Sequence, residues 1–206
     1  MNARHHWQQV YGAKASTAVS WYEAEPVRSL EWIRSIAPDP DAAILDVGAG
    51  ASLLVDRLLE HGYRRLGVLD IAPAALEEVR ARLGERSSDV EWFTGDVLDF
   101  TAPHPFDVWH DRAVLHFLRD PDEQRRYAEV LRRTLRPGGH AMISTFAAGG
   151  PKRCSGLEIV QYDAAALADL LGEEFALVRE ATGTHRTPAG ADQLFQHSLF
   201  VRSGAE

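Results

Sequence analysis

The stretch Ile44-Leu45-Asp46-Val47-Gly48-Ala49-Gly50-Ala51-Ser52 decides how this chain folds. A short apolar run with β-branched residues breaks into a two-glycine turn, and a helical pattern with Leu53, Leu54, Leu58 and Leu59 follows at once. Glycines at such a turn let the backbone bend tightly and let a ligand lie against the main chain. The helix behind the turn points free N–H groups at whatever occupies it. Asp70 ends the next apolar run, Leu66-Gly67-Val68-Leu69, where a carboxylate can accept the two hydroxyls of a ribose. The pattern calls for a nucleoside-containing ligand.

Spacing separates the candidates. A nicotinamide or flavin site uses G-x-G-x-x-G, with the third glycine bringing helix and strand together under a pyrophosphate. Here that position is Leu53, so the fingerprint fails. Asp46, two residues before Gly48, would repel a phosphate but suits a cofactor carrying positive charge. S-adenosylmethionine has an ammonium, a sulfonium and no phosphate. No G-x-x-x-x-G-K-[ST] loop occurs in the chain, which excludes that type of nucleotide-triphosphate site.

At this point the chain resembles the class I S-adenosylmethionine-dependent methyltransferases. Asp46-Val47-Gly48-Ala49-Gly50 is similar to the family's first motif, and Asp70-Ile71 to its ribose-binding end of the second strand. Gly95-Asp96-Val97 resembles the third motif, whose Asp and following N–H hold the adenine edge. Phe106-Asp107-Val108-Trp109-His110-Asp111 is similar to the fourth strand with its terminal acidic residue, and Leu135-Arg136-Pro137-Gly138-Gly139 to the turn before the fifth. These segments keep the family's order over roughly residues 40 to 146. Ser52 stands where many members have a third glycine, and a serine there can cap the helix. The resemblance implies cofactor contacts from Asp46, Gly48, Ala49, Gly50, Asp70, Ile71, Asp96, Val97 and Asp111, although Asp111 has Arg112 beside it as an alternative partner.

Strand-like and helix-like segments alternate, which predicts an α/β fold: a Rossmann-like, doubly wound, seven-stranded, mostly parallel sheet with helices on both faces. The strands are expected at 43–47, 66–70, 90–93, 106–110, 140–146, 175–181 and 195–202. A helix after the fourth is marked by Asp120 as cap, Pro121, Glu123 at the capping-box position and an apolar stripe of Tyr127, Val130, Leu131 and Leu135, with Pro137-Gly138-Gly139 ending it. Turn residues around Pro188-Ala189-Gly190 predict a hairpin, and the resemblance implies an antiparallel last strand. One domain is expected over 1–206, with 1–40 as a helical cap and 41–206 as the core.

Composition narrows the class further. Hydrophobic content of 45% and charged content of 25% are those of an ordinary globular protein. The formal charge of −8 argues against a nucleic-acid groove. Arg125-Arg126 and Arg132-Arg133 alternate with Glu123 and Glu129 and read as a solvated helix face. Cys154 is the single cysteine, leaving no intrachain disulfide and no cysteine-based metal site; no metal is expected. No apolar run approaches the ~20 residues of a membrane span. The expectation is a cytoplasmic protein, as monomer or homodimer.

Methyl transfer needs a nucleophile held in line with an activated methyl group, with water excluded, and a base only when the nucleophile arrives protonated. His116, just past the fourth strand, is the candidate base, set against a structural histidine among apolar neighbours. Acceptor-side candidates are Trp21 and Tyr22 before Pro26, Arg112, and His185-Arg186 in the late hairpin, whose basic character can recognise a carboxylate. Trp7 and Tyr11, four apart, either roof the site or dock their helix on the sheet. Gly149 to Gly156 reads as a flexible lid with an inert Cys154. Asp111-Arg112-Ala113-Val114 differs from the Asn/Asp-Pro-Pro-Tyr/Phe of enzymes that methylate exocyclic base amines or glutamine amides, and the nucleophilic cysteine of cytosine-C5 chemistry is missing. The pairing of W-x-x-V-Y and S-W-Y with D-R-A-V-L-H-F-L also resembles small bacterial members and eukaryotic protein-lysine methyltransferases. A small-molecule acceptor (S, N or O) is the first expectation, a protein lysine the second, and a cofactor-binding protein without transfer activity the third.

Overall fold

Five parallel strands and a long antiparallel hairpin form one sheet in the computed structural model, which describes residues 3–13 and 15–204. The elements are α1 (Ala3–Ala13), α2 (Val27–Ile36), β1 (Ala43–Val47), α3 (Leu54–Glu60), β2 (Arg65–Asp70), α4 (Pro73–Leu83), β3 (Val90–Thr94), β4 (Phe106–Arg112), α5 (Pro121–Thr134), β5 (Leu135–Phe146), β6 (Arg153–Cys154), β7 (Leu157–Glu158), α6 (Ala164–Leu171), β8 (Phe175–Arg186) and β9 (Asp192–Arg202). The seven-stranded sheet runs β3-β2-β1-β4-β5-β9-β8, and β6 pairs with β7 in a separate small hairpin. β9 lies antiparallel to both β5 and β8, so the expected mostly parallel sheet with an antiparallel last strand is present. The strand order reverses between β1 and β4, the place where ligands settle in open α/β sheets.

Alternation along each strand divides the core into two layers. Leu45, Trp109, Ile143 and Phe200 face α5 and α6 and pack with Tyr127, Leu131 and Leu167. Ile44, Val68 and Val108 face the other way, onto Ile33 of α2, Leu54 and Leu58 of α3 and Leu76 and Val79 of α4. Each fully buried Leu, Ile or Val contributes about 1.5–3 kcal/mol to the packing. Within the segment 1–40 the two helices do different things. α2 belongs to this layer through Trp32 and Ile33, whereas α1 has no buried residue and lies over the strand ends.

The Asp120 cap is present. Asp120 Oδ1 accepts from Asp122 N at 2.9 Å, with Pro121 opening α5. Several segments differ from expectation. α5 ends at Thr134, because Leu135 already pairs with Phe106 and opens β5; the Pro137–Gly139 turn is absorbed where the register shifts between Phe106 and Val108. Gly139 is needed there, since a Cβ would press on the carbonyls of Arg136 and Asp107. The late hairpin is longer than expected, reaching Arg186 and restarting at Asp192 around a turn closed by Gly190 N to Thr187 O, 2.8 Å. The segment expected as a lid, Gly149 to Gly156, runs into the β6–β7 hairpin, with β7 lying just beyond it.

Candidate functional site

The carboxyl ends of β1 to β4 meet at a cavity of about 250 Å³. Gly48 and Gly50 both adopt positive φ, 60° and 56°. A Cβ on Gly48 would run into Val114 Cγ2, and one on Gly50 into the Tyr11 hydroxyl, so only glycine leaves room at either point. Asp70 fastens the turn: Oδ2 accepts from Gly50 N and Oδ1 from Ala72 N, each at 2.7 Å. Each carboxylate oxygen retains a lone pair for a further donor. Burial, with the neighbouring Asp46 charge adding to it, raises the Asp70 pKa to about 6 against the opposing pull of these N–H groups. Asp96 Oδ1 caps the short turn 97–99 through Leu98 N at 2.9 Å. Ser52 Oγ accepts from Leu54 N at 3.1 Å, although the N-cap position of α3 falls on Leu53 rather than on the serine as expected. Arg82 holds the loop from behind, donating to Ala51 O and Ser52 O and pairing with Asp56.

Gly48, Asp70, Ile71, Asp96 and Val97 line this cavity, as does Leu69. Asp46 and Ala49 line a smaller cavity of about 40 Å³ behind the glycine turn, shared with Tyr22, Glu23, Ser29 and His110. Trp21 and Arg112 line both. Trp7 and Tyr11 reach the main cavity from α1, so they roof the site rather than only docking the helix. Burial first, and the Asp70 charge second, hold the Tyr11 hydroxyl protonated.

Sequence reasoning missed a buried chain of polar groups. His110 Nδ1 lies 2.7 Å from Asp46 Oδ1, and its Nε2 lies 2.9 Å from Ser29 Oγ. A carboxylate only accepts, so His110 donates from Nδ1 to Asp46, with Nε2 facing the Ser29 hydroxyl. Asp46 and His110 are register partners across β1 and β4; that pairing is the signal that would have found them.

Asp111 is not at the cavity. It is fully buried, with Oδ1 accepting from Val114 N (2.8 Å) and Oδ2 from Leu115 N (3.1 Å) and the Tyr127 hydroxyl (2.5 Å). Burial raises its pKa to about 6. The reason is strand alternation: Asp111 points to the same side as Trp109, whose Nε1 also donates to the Tyr127 oxygen. Nor does it pair with Arg112. It instead clamps the turn at Ala113, whose φ of 77° is unusual for a residue with a Cβ. Arg112 turns to the other side, donating to Trp21 O and Glu23 Oε1, each at 2.9 Å, with its guanidinium 5.0 Å from the Phe195 ring centre.

His116 lies behind the wall, with no exposed surface; Phe117, next in sequence, lines the cavity instead. Burial and then the Arg112 charge press its pKa down to about 3, its Nδ1 accepts from Phe146 N at 3.4 Å, and its Nε2 has no partner. A base must reach the proton it removes, and this geometry does not offer that. His185 is also off the cavity: its Nε2 lies 2.8 Å from Ser20 O and its Nδ1 3.6 Å from Glu23, so it straps the segment bearing Trp21. Arg186 is exposed on the hairpin and pairs with Asp192 at 3.2 Å. Cys154 and Leu157 of the β6–β7 hairpin close one side, and burial raises the Cys154 thiol to about 11. Among the described residues no cluster of metal-ligating groups occurs, and no helix is long and apolar enough to cross a membrane.

Residues 44–139 match the family model of a methyltransferase domain. Nodulation protein S of Rhizobium tropici is 33% identical over 111 residues, covering 54% of this chain and 46% of that protein. The ubiquinone biosynthesis O-methyltransferase of Thiobacillus denitrificans is 30% identical over 126 residues, covering 60% of this chain and 52% of that protein. The chain thus spans about half the length of the curated relatives it matches. A crystal structure of the N-methyltransferase NodS from Bradyrhizobium japonicum WM9 with S-adenosyl-L-homocysteine has the same fold, with a TM-score of 0.73 at 21% identity over 96% of this chain and 98% of that one. The domain match falls on the segment that builds the glycine turn and carries Asp70 and Asp96, so this part of the chain is similar to methyltransferase domains.

Proposed function

We propose that the protein transfers a methyl group from S-adenosylmethionine to a small-molecule nucleophile. One observation carries this reading: the glycine turn, Asp70 and Asp96 open onto the same cavity as an aromatic wall. Gly48, at a positive φ, brings bare backbone to the cavity lining, which fits a cofactor lying against the turn. In this reading Asp70 accepts the ribose hydroxyls on its free lone pairs, while Asp96 and the Val97 N–H hold the adenine edge beside Ile71. Gly48, Ala49 and Gly50 cradle the methionine end, near Asp46 as oriented by His110. When bound, the cofactor supplies a methyl group on an electron-poor sulfur. The chain's own part is to bind, to align and to keep water out. Trp21, Tyr22 and Arg112 are assigned to the acceptor side. Asp111, His116, His185 and Arg186 are assigned supporting or surface roles instead.

The similarity to an O-methyltransferase of ubiquinone biosynthesis supports a small-molecule acceptor. The proposal keeps the expected cytoplasmic location and monomer or homodimer state. Calorimetric titration with S-adenosylhomocysteine, with NADH alongside, tests the cofactor assignment. Micromolar binding of the first alone is expected; binding of NADH alone refutes it. Labelled cofactor incubated with small nucleophiles and with lysate protein then separates the small-molecule acceptor from the alternative, a protein lysine.

A further inference from the structure

The wall opposite the glycine turn is made of aromatic rings from three separate segments. Trp7 and Tyr11 come from one face of α1, Trp21 from the strap before α2, and Phe117 from the turn after β4. Trp7 and Trp21 have ring centres 5.7 Å apart with planes at 83°; Trp7 and Phe117, 5.0 Å and 74°; Tyr11 and Trp21, 6.1 Å and 79°. Neighbouring rings stand nearly perpendicular, so the wall offers π faces in more than one direction. A ring face attracts a cation by about 0.5–2 kcal/mol, most strongly when both are shielded from water.

Charge on the lining points the same way. Among the described residues, Asp70, Asp96 and Glu123 bring carboxylates to the cavity against the guanidinium of Arg112, which Glu23 already pairs at 2.9 Å. Among the described residues, Glu123 is the lining group left to act as a base. No imidazole lines the cavity among the described residues, Asp70 and Asp96 are engaged by backbone N–H groups, and burial keeps the Cys154 thiol and the Tyr11 hydroxyl protonated.

We propose that the methyl acceptor is an amine, and that Trp7, Tyr11, Trp21 and Phe117 form a cage for the positive charge it acquires. The inference rests on the methyltransferase reading and narrows it. The neutral amine's lone pair forms the new N–C bond, and the C–S bond breaks with its electron pair staying on sulfur. The positive charge passes from sulfur to nitrogen inside the cage, and the product leaves as an ammonium ion. No proton moves in that step. A hydroxyl or thiol acceptor would lose its proton and leave as a neutral ether or thioether, with no charge for the rings to hold.

The test compares choline with its uncharged isostere 3,3-dimethylbutan-1-ol, titrated into protein saturated with S-adenosylhomocysteine. Choline is expected to bind about tenfold or more tightly than the isostere. Trp7→Ala and Trp21→Ala should bring that ratio towards one, whereas Trp7→Phe and Trp21→Phe should keep most of it. The ratio is the readout, so a general loss of affinity does not mimic the effect, and the Phe variants cover a failure of the Ala variants to fold. Equal binding of the two probes, including no binding of either, overturns the proposal, as does a ratio that survives both Ala variants. Failure of S-adenosylhomocysteine to bind at all is a separate result: it removes the methyltransferase reading, and this inference with it.

Discussion

The two walls of the main cavity are built in opposite ways. The glycine-turn wall comes from the ends of adjacent strands, and its carboxylates are fixed by backbone N–H groups, Asp70 by Gly50 and Ala72 and Asp96 by Leu98. The aromatic wall is assembled from α1, the strap at Trp21, the turn at Phe117 and the β6–β7 hairpin. Side-chain packing holds it, with Arg112 and His185 tying the strap to the sheet through the carbonyls of Trp21 and Ser20. The sheet therefore preorganises the first wall, while the second depends on contacts between remote segments. In our reading the first provides what the family shares and the second what this chain selects.

The comparison breaks most easily at Gly48. Replacing it with Val puts a branched side chain at a φ of 60° and drives it into Val114. The left-handed backbone alone costs about 1–2 kcal/mol. The expected result is a lowered Tm and, by calorimetry, loss of S-adenosylhomocysteine binding by about a hundredfold or more, corresponding to about 2.7 kcal/mol. Unchanged affinity would show that nothing lies against this turn.

Asp70→Asn should weaken the same binding by about 10- to 100-fold, since hydrogen bonds to a charged acceptor contribute about 1.5–3 kcal/mol. The pH profile sharpens the point. With its pKa raised to about 6, Asp70 is ionised at pH 7 and protonated below 6, so wild-type affinity should fall on acidification through that range, and the Asn variant should not follow. Thermal stability is a poorer readout. Raised carboxylates such as Asp70 and Asp111 favour the folded state as pH falls from 6 towards 4. His116 and His197, both pressed down to about 3 chiefly by burial, work against it as pH falls below their unfolded value near 6.5.

Much of the first wall was legible because its signals are local. The apolar run into Gly48-Ala49-Gly50, and Asp70 at the end of the next run, lie within single elements. The β4 end shows where local reading stops. Asp111 and Arg112 are adjacent, yet the two-residue period sends one into the Tyr127 layer and the other towards Trp21 and Glu23. The same period pairs His110 with Asp46, which needs the strand register and not just the sequence. His116 misleads because the residue type fits a base, while its turn points it inward and presents Phe117.

His110→Ala tests the support behind the glycine turn. It leaves the buried Asp46 carboxylate and the Ser29 hydroxyl without their partner, and denaturant unfolding should show a loss of about 2–4 kcal/mol. A loss under half a kcal/mol would mean that water replaces the ring without penalty. Arg186→Ala marks the small end of the scale. Its pair with Asp192 is exposed, so stability should change by less than about 0.5 kcal/mol and both ligand affinities should stay as they are. A clear loss of acceptor binding would bring the hairpin back into the site.

A crystal structure of the protein with S-adenosylhomocysteine tests the two-wall account most directly. The account predicts ribose hydroxyls on the Asp70 carboxylate, the adenine beside Asp96 and Val97, and the sulfur facing Trp21 across the cavity. A nucleoside seated against the aromatic wall, with Asp70 touching only Gly50 and Ala72, would contradict it.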